Sequence, residues 1–264
     1  MSGDGERARY TFGDSATASE RLACVARVFA PSTEALLARL TGRAPRRVLD
    51  LGCGPGHTTR LLARIFPGAV VCGLEQSEAF LAEARRTAAP GVSFEHADVT
   101  AMPLPGAPSD LLHARFVLSH LRDRETVLRG WFDALTPGGA LVVEEVDRIE
   151  TTDDTFRAYL AITSGLIADR GGELYVGPEL STAAHRLGGS VLVDTSMFVA
   201  PATGDIATIF ALNLRSWRDD PWVASHHSRL ALDEIANALH THRLTAGSGL
   251  IRWTLRQLIV ARKP

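Results

Sequence analysis

The sequence predicts an α/β fold of Rossmann-like, three-layer type, with a mainly parallel sheet between helices. Three observations carry this expectation. Val48, Leu49 and Leu51 form a short apolar run. Gly52, Gly54 and Gly56 follow at alternate positions, and residues 60–65 then read as a helix. Strand-length apolar runs recur at 69–74, 92–97, 110–116 and 140–146, with helical patterns between them. Finally, an acid closes the second and third runs: Glu75 and Asp98.

At 264 residues the chain is long enough for one large domain, or one domain plus a small lid. Hydrophobic content of 45% and charged content of 22% are those of an ordinary globular protein. A net charge of −2 and the lack of a basic patch argue against a nucleic-acid or membrane surface. No apolar run approaches the roughly 20 residues that span a bilayer. Residues 1–9 are polar, unlike a signal or transit peptide. Cys24, Cys53 and Cys72 are odd in number and read as free thiols in a reducing cytoplasm.

Taken in order, Leu22, Val25, Val28 and Phe29 recur at helical spacing over 19–29. Pro31-Ser32-Thr33-Glu34 then restarts a second helix carrying Leu36, Leu37 and Leu40. Residues 1–41 are therefore expected to form an N-terminal helical lid, ahead of a nucleotide-type domain over 42–264. In the glycine loop, main chain free of side chains and the unpaired N–H groups of a helix start suit a nucleotide ligand. The spacing is not the G-x-G-x-x-G of dinucleotide folds: the third glycine comes one residue early and Pro55 stiffens the turn. Nor does the loop end in the Gly-Lys-Ser/Thr of a phosphate loop. Glu75, with Gln76 beside it, can accept hydrogen bonds from both ribose hydroxyls, which supports an adenosine ligand without naming it. Ser77 caps a helix over 78–86, ended by Pro90-Gly91.

Beyond the fourth strand, residues 117–121 carry into a helix. The strand end places Arg115, Phe116, Ser119 and His120 beside the ligand. His120 is the best-placed base, since only histidine titrates near neutrality unaided; a packing or capping histidine is the alternative. A helix over 124–135 stops at Thr136-Pro137-Gly138-Gly139, before the strand over 140–146. Glu145 and Asp147 share one side of that strand's end, as substrate contacts or as a solvated rim. Helices at 156–167 and 178–186, joined by Asp169-Arg170-Gly171-Gly172, are expected to roof the substrate. Tyr159, Tyr175 and His185 line that roof or merely pack. A strand over 190–199, helices at 206–217 and 230–240, and a last strand over 250–261 complete the chain. The helical substrate-cap insertions thus fall at about 150–188 and 203–245. His226-His227 and His240/His242 have no cysteine nearby and read as solvated loop, with no metal expected.

The stretch Val48-Leu49-Asp50-Leu51-Gly52-Cys53-Gly54-Pro55-Gly56 resembles the first motif of class I S-adenosylmethionine (SAM)-dependent methyltransferases. His96-Ala97-Asp98-Val99, followed by Met102-Pro103-Leu104-Pro105, resembles their second signature, and Leu-Thr-Pro-Gly-Gly-Ala-Leu-Val-Val from Leu135 a further landmark. The resemblance covers 10–146 and is nearest to the ubiquinone/menaquinone-biosynthesis-type enzymes. It implies a seven-stranded methyltransferase sheet whose last strand is antiparallel, with SAM as cofactor, leaving as S-adenosyl-L-homocysteine. It also implies that Asp98 receives the adenine amino group, that Val99 offers its N–H to the ring, and that Arg115 faces the cofactor. Tyr10 and Arg21 would lie near the methionine end, where a guanidinium suits a carboxylate. The alternative is a packing tyrosine and a surface arginine paired with Glu20 or Glu34. With Asp50, Gly52, Gly54, Gly56, Glu75 and Gln76, these residues make the expected cofactor site.

The function so implied is methyl transfer to an O or N atom of a small-molecule, secondary metabolite, by a monomer or homodimer. One base, His120 or Glu145, would take the proton. No carboxylate pair for Mg²⁺ stands at 113–115, so a metal-free reaction is expected. Two alternatives remain open: a SAM-binding cyclase that transfers no methyl, and an NAD-dependent oxidoreductase, which Asp98 and the glycine spacing disfavour.

Overall fold

The computed structural model describes residues 12–40 and 42–264. Its first element is α1 (Ala16–Leu37), followed by β1 (Arg47–Leu51), α2 (His57–Ile65), β2 (Val70–Glu75), α3 (Glu78–Arg86) and β3 (Val92–His96). Then come β4 (Ser109–Arg115), a 3-10 turn (Leu118–His120), α4 (Arg124–Asp133) and β5 (Leu135–Thr151). The last part holds α5 (Asp154–Asp169), α6 (Gly177–Arg186), β6 (Ser190–Val199), α7 (Thr203–Trp217), α8 (Pro221–His226), α9 (Arg229–His242) and β7 (Ile251–Ala261). The seven strands make one sheet in the order β3-β2-β1-β4-β5-β7-β6. β1 to β5 run parallel, while β7 is antiparallel to both β5 and β6. The strand order reverses between β1 and β4, and in open α/β sheets ligands bind at the carboxyl ends beside that point.

Alternation along the strands gives the sheet two apolar faces. Val48, Val71, Leu111, Val142 and Ile259 pack under Leu36 and Leu37 of α1 and Leu62 of α2. On the other face Leu49, Leu74, Leu112, Val143 and Leu258 pack against Trp131 of α4 and Leu180 of α6. A separate core forms around Phe156, Tyr159, Phe210 and Trp217, from α5, α7 and α9 with Cys24 and Phe29 of α1. It includes Ile149 and Trp253, where β5 and β7 run on past the parallel strands.

Four sequence expectations change. The two N-terminal helices are one, α1, with Pro31 inside it. Its buried stripe stays continuous from Phe29 to Leu36, and the hydroxyls of Ser32 and Thr33 bond back to the Phe29 carbonyl at 2.9 and 3.3 Å. β5 is far longer than 140–146, because β7 pairs with it through a bulge as far as Thr151. Residues after β4 form a single 3-10 turn instead of a helix. Finally, α6 belongs to the sheet's own core, not to the roof: Val176, Leu180, Ala184 and Leu187 pack with α4. Among the described residues no helix is long and apolar enough to cross a membrane.

Candidate active site

β1 ends under a loop whose geometry only glycine can hold. Gly52 and Gly56 have φ of +66° and +80°, and a Cβ on Gly56 would meet the Phe94 ring at 2.6 Å. The Gly54 N–H donates to Glu75 Oε2 at 2.8 Å, and those of Gln76 and Ser77 donate to Oε1, each at 2.8 Å. Burial pushes the Glu75 carboxyl up, while the three amide bonds pull the other way. This carboxylate therefore stands at the loop, half-buried. Asp98 is exposed beyond β3 and accepts from the Thr100 N–H (2.9 Å) and hydroxyl (2.7 Å) through one oxygen. The Val99 carbonyl accepts from the Trp131 indole at 2.8 Å, which fixes that turn.

α1 lies over the loop. Leu22 Cδ1 is 3.3 Å from where a Gly54 Cβ would stand, Ser19 donates to Glu83 at 2.6 Å, and Ser77 donates to Asp14 at 2.8 Å. Arg21 is 5% exposed, with its guanidinium 5.0 Å from the Phe12 ring centroid, so it is not the surface arginine of the alternative reading. Tyr10 lies outside the described residues.

Beneath the loop runs a buried polar layer that the sequence did not announce. Asp50 accepts from Thr59 Oγ1 (2.7 Å) and faces His113 Nδ1 (3.1 Å), and His113 Nε2 lies 3.6 Å from Glu144 Oε1. Glu144 accepts from Thr33 Oγ1 (2.5 Å) and Gln257 Nε2 (2.8 Å). Arg115 donates to Thr33 and Thr58 at 2.8 and 3.0 Å, beside a cavity of about 250 Å³ between α1 and α2. Its guanidinium thus bridges those helices. The available signal was a polar residue inside each apolar strand: His113 after Leu112, Glu144 after Val143.

The opposite face carries Glu145, fully buried. Its Oε1 accepts from the N–H groups of Val117 and Leu118 at 2.7 and 2.6 Å, so the side chain holds the turn that bears Ser119 and His120. Burial pushes its carboxyl up to about 8 against those bonds. His120 sits edge-on to Phe12 at 5.5 Å. Burial, with the charges of Arg21 and Arg170, pushes its imidazole down to about 3. An imidazole so placed stays neutral at physiological pH and is a weak base. Of the other roof residues, Tyr159 is buried and accepts from Asn213 at 2.7 Å, Tyr175 lines a cavity of about 470 Å³ below α5, and His185 is exposed on α6.

A methyltransferase domain model matches residues 48–139. The trans-aconitate 2-methyltransferase of Methylobacterium radiotolerans is 36% identical over 204 residues, which cover 76% of this chain and 68% of that protein. The chain belongs to the class I SAM-dependent methyltransferases. The trans-aconitate 2-methyltransferase of Methylobacterium nodulans is 48% identical over 115 residues, 44% of each chain. The chain spans about half the length of most of the curated relatives it matches. The fold is shared with phosphoethanolamine N-methyltransferase 2 of Haemonchus contortus in complex with phosphomonomethylethanolamine and S-adenosylhomocysteine. That likeness has a TM-score of 0.54 and 19% identity over 89% of this chain and 53% of that one. Membership of the class I SAM-dependent methyltransferases makes SAM the cofactor. The donor sets suit it: ribose hydroxyls and an adenine amino group donate, and Glu75 and Asp98 offer carboxylate acceptors at consecutive strand ends.

Proposed function

We propose that this enzyme transfers the methyl of SAM to a carboxylate oxygen of a small polycarboxylic acid, of which trans-aconitate is the nearest available example. The carrying observation is the pair of guanidiniums, Arg21 and Arg170, whose charges act on His120 at the turn after β4. Arg21 is buried, Arg170 is half-buried and ion-paired with Asp220, and the positive charge left over attracts an anion whose carboxylates match arginine forks. The names of the relatives above support the same acceptor class. None of the relatives and structures named above carries a quinone or a secondary metabolite in its name.

SAM supplies an already electrophilic methyl, so the chain's work is to orient and to exclude water. Gly52, Gly54 and Gly56 with Asp50 shape the cradle, while Glu75, Gln76, Asp98 and Val99 hold the adenosine. Arg115 braces α1 against α2, and α1 closes over the loop as a lid. A carboxylate acceptor is ionised at neutral pH and needs no base. That fits a site where His120 is a neutral hydrogen-bonding group and Glu145 keeps its proton. An amine or phenol must lose a proton, and neither side chain is placed to take it readily.

The test is a steady-state assay with trans-aconitate, citrate-like tricarboxylates and monocarboxylic analogues. SAM turnover should need at least two carboxylates on the acceptor, and Arg170→Ala should raise KM for the polycarboxylate much more than it lowers kcat. Turnover with amines or phenols and none with any carboxylic acid would overturn the proposal.

A further inference from the structure

His113 has no part in the chemistry above, yet it occupies the centre of the buried polar layer beneath the glycine loop. It is 0% exposed in the middle of β4, and each ring nitrogen faces a different carboxylate. Asp50, on one side, also holds Thr59 in the first turn of α2, three residues past Gly56. Glu144, on the other, is held by Thr33 of α1 and by Gln257, which itself donates to the Ser32 carbonyl at 3.2 Å. Side-chain contacts therefore run from the helix that starts at the glycine loop, across β1, β4 and β5, to the far half of α1, with the 3.6 Å approach of His113 Nε2 to Glu144 an ion-pair contact longer than a hydrogen bond. The near half of α1 carries Ser19, Arg21 and Leu22 across that same loop.

We propose that His113 is a positioning residue for the cofactor, the link through which the seating of α1 on the sheet sets the shape of the glycine loop. Asp50 and Glu144 bring two negative charges into a site closed to water, where neither is tolerated without a cation. Arg115 supplies one positive charge at the rim, and the imidazolium of His113 supplies the other between them. Burial works against that charge, and the two carboxylates outweigh it, so the ring holds its second proton above its ordinary range. The titratable groups facing it are Asp50 from β1 and Glu144 from β5; α1 presents Thr33 and β7 presents Gln257. A neutral ring keeps one N–H and must release one carboxylate. The released carboxylate frees either α2 or α1.

The experiment uses the whole chain with Thr33→Val, His113→Phe and the double variant, each titrated calorimetrically with SAM. Thr33 lies on the α1 side of the layer, reaching Asp50 only through Glu144 and His113, and valine keeps its shape. Thr33→Val should weaken SAM binding roughly threefold and His113→Phe roughly tenfold, with the double variant no worse than His113→Phe alone. The ¹⁵N shifts of the His113 ring should show both nitrogens protonated at pH 7. Folded Thr33→Val with unchanged SAM affinity would overturn the link, even if His113→Phe fails to fold. A His113 ring carrying a single proton, or losses that simply add, would overturn it as well.

Discussion

Glu144 and Glu145 are neighbours on β5, both at 0% exposure, and their carboxyls move in opposite directions. Glu144 points to the α1 face, where His113, Arg115, Thr33 and Gln257 surround it, and these hold its carboxyl below the usual range. Glu145 points to the opposite face and, among the described residues, meets backbone N–H groups and Ser119. Its carboxyl rises to about 8, and its Oε2 has no hydrogen-bond partner among the described residues. Burial is the same for both. What differs is whether a cation was buried with them, and that separates a charged brace under the glycine loop from a protonated clasp on the turn after β4.

The contrast breaks first at Glu144. Glu144→Ala leaves His113, Arg115, Thr33 and Gln257 facing a void. Unfolding in urea should show a loss of roughly 3–5 kcal/mol, the cost of orphaning a buried charge. A loss no larger than that of a surface substitution would mean the layer is not ionic.

Next in size is the pH dependence of stability. Between its ordinary value of 4.5 and about 8, Glu145 keeps a proton that the unfolded chain has released. Its contribution is therefore greatest below pH 4.5 and declines as pH rises toward 8, by on the order of a few kcal/mol. Glu144 acts in the other direction: its contribution is complete above the ordinary carboxylate range and is lost as pH falls through its lowered value. Glu145→Gln should flatten the alkaline slope of stability measured by urea titration from pH 5 to 9. The slope that remains includes His113, whose raised value also costs stability as pH climbs, and His120, whose lowered value adds stability up to its ordinary 6.5. An unchanged slope in Glu145→Gln would show that Glu145 is already ionised.

Smaller effects sharpen the cofactor side. Gly56→Ala combines a left-handed backbone with a clash at Phe94 and should weaken SAM binding while lowering thermal stability by a few degrees. Glu75→Ala should weaken SAM binding by about 1–3 kcal/mol in calorimetry, the size of a lost charged hydrogen bond. Equal binding by the variant would show that its three backbone partners are its whole role.

What was legible in the sequence was local. The glycine loop, the acids after β2 and β3, and the Ser77 cap are each specified within a few residues, and the structure has them in place. Repeated strand–helix units pointed to the α/β class and the resemblance implied seven strands with the last antiparallel, but the strand order came only with the structure. The Asp50–His113–Glu144–Gln257 layer depends on register between four strands, and no spacing along the chain announces it. Pro31 read as a boundary because its missing N–H usually ends a helix, but the apolar stripe on either side was strong enough to carry α1 through. α6 read as roof because an amphipathic pattern gives a face without naming its partner. Leu180, Ala184 and Leu187 found α4 and the sheet instead. The base assigned to His120 came from its place at a strand end and from residue type, and its two arginine neighbours arrive from α1 and the end of α5, far away in sequence.

The most direct measurement labels the transferred group. The enzyme is incubated with SAM carrying a ¹³C methyl and with trans-aconitate, and the product's carbon spectrum is recorded before and after mild alkali. An ester methyl signal that alkali converts to methanol is the expected result. A methyl bound to nitrogen or carbon, or one that survives alkali, would contradict transfer to a carboxylate.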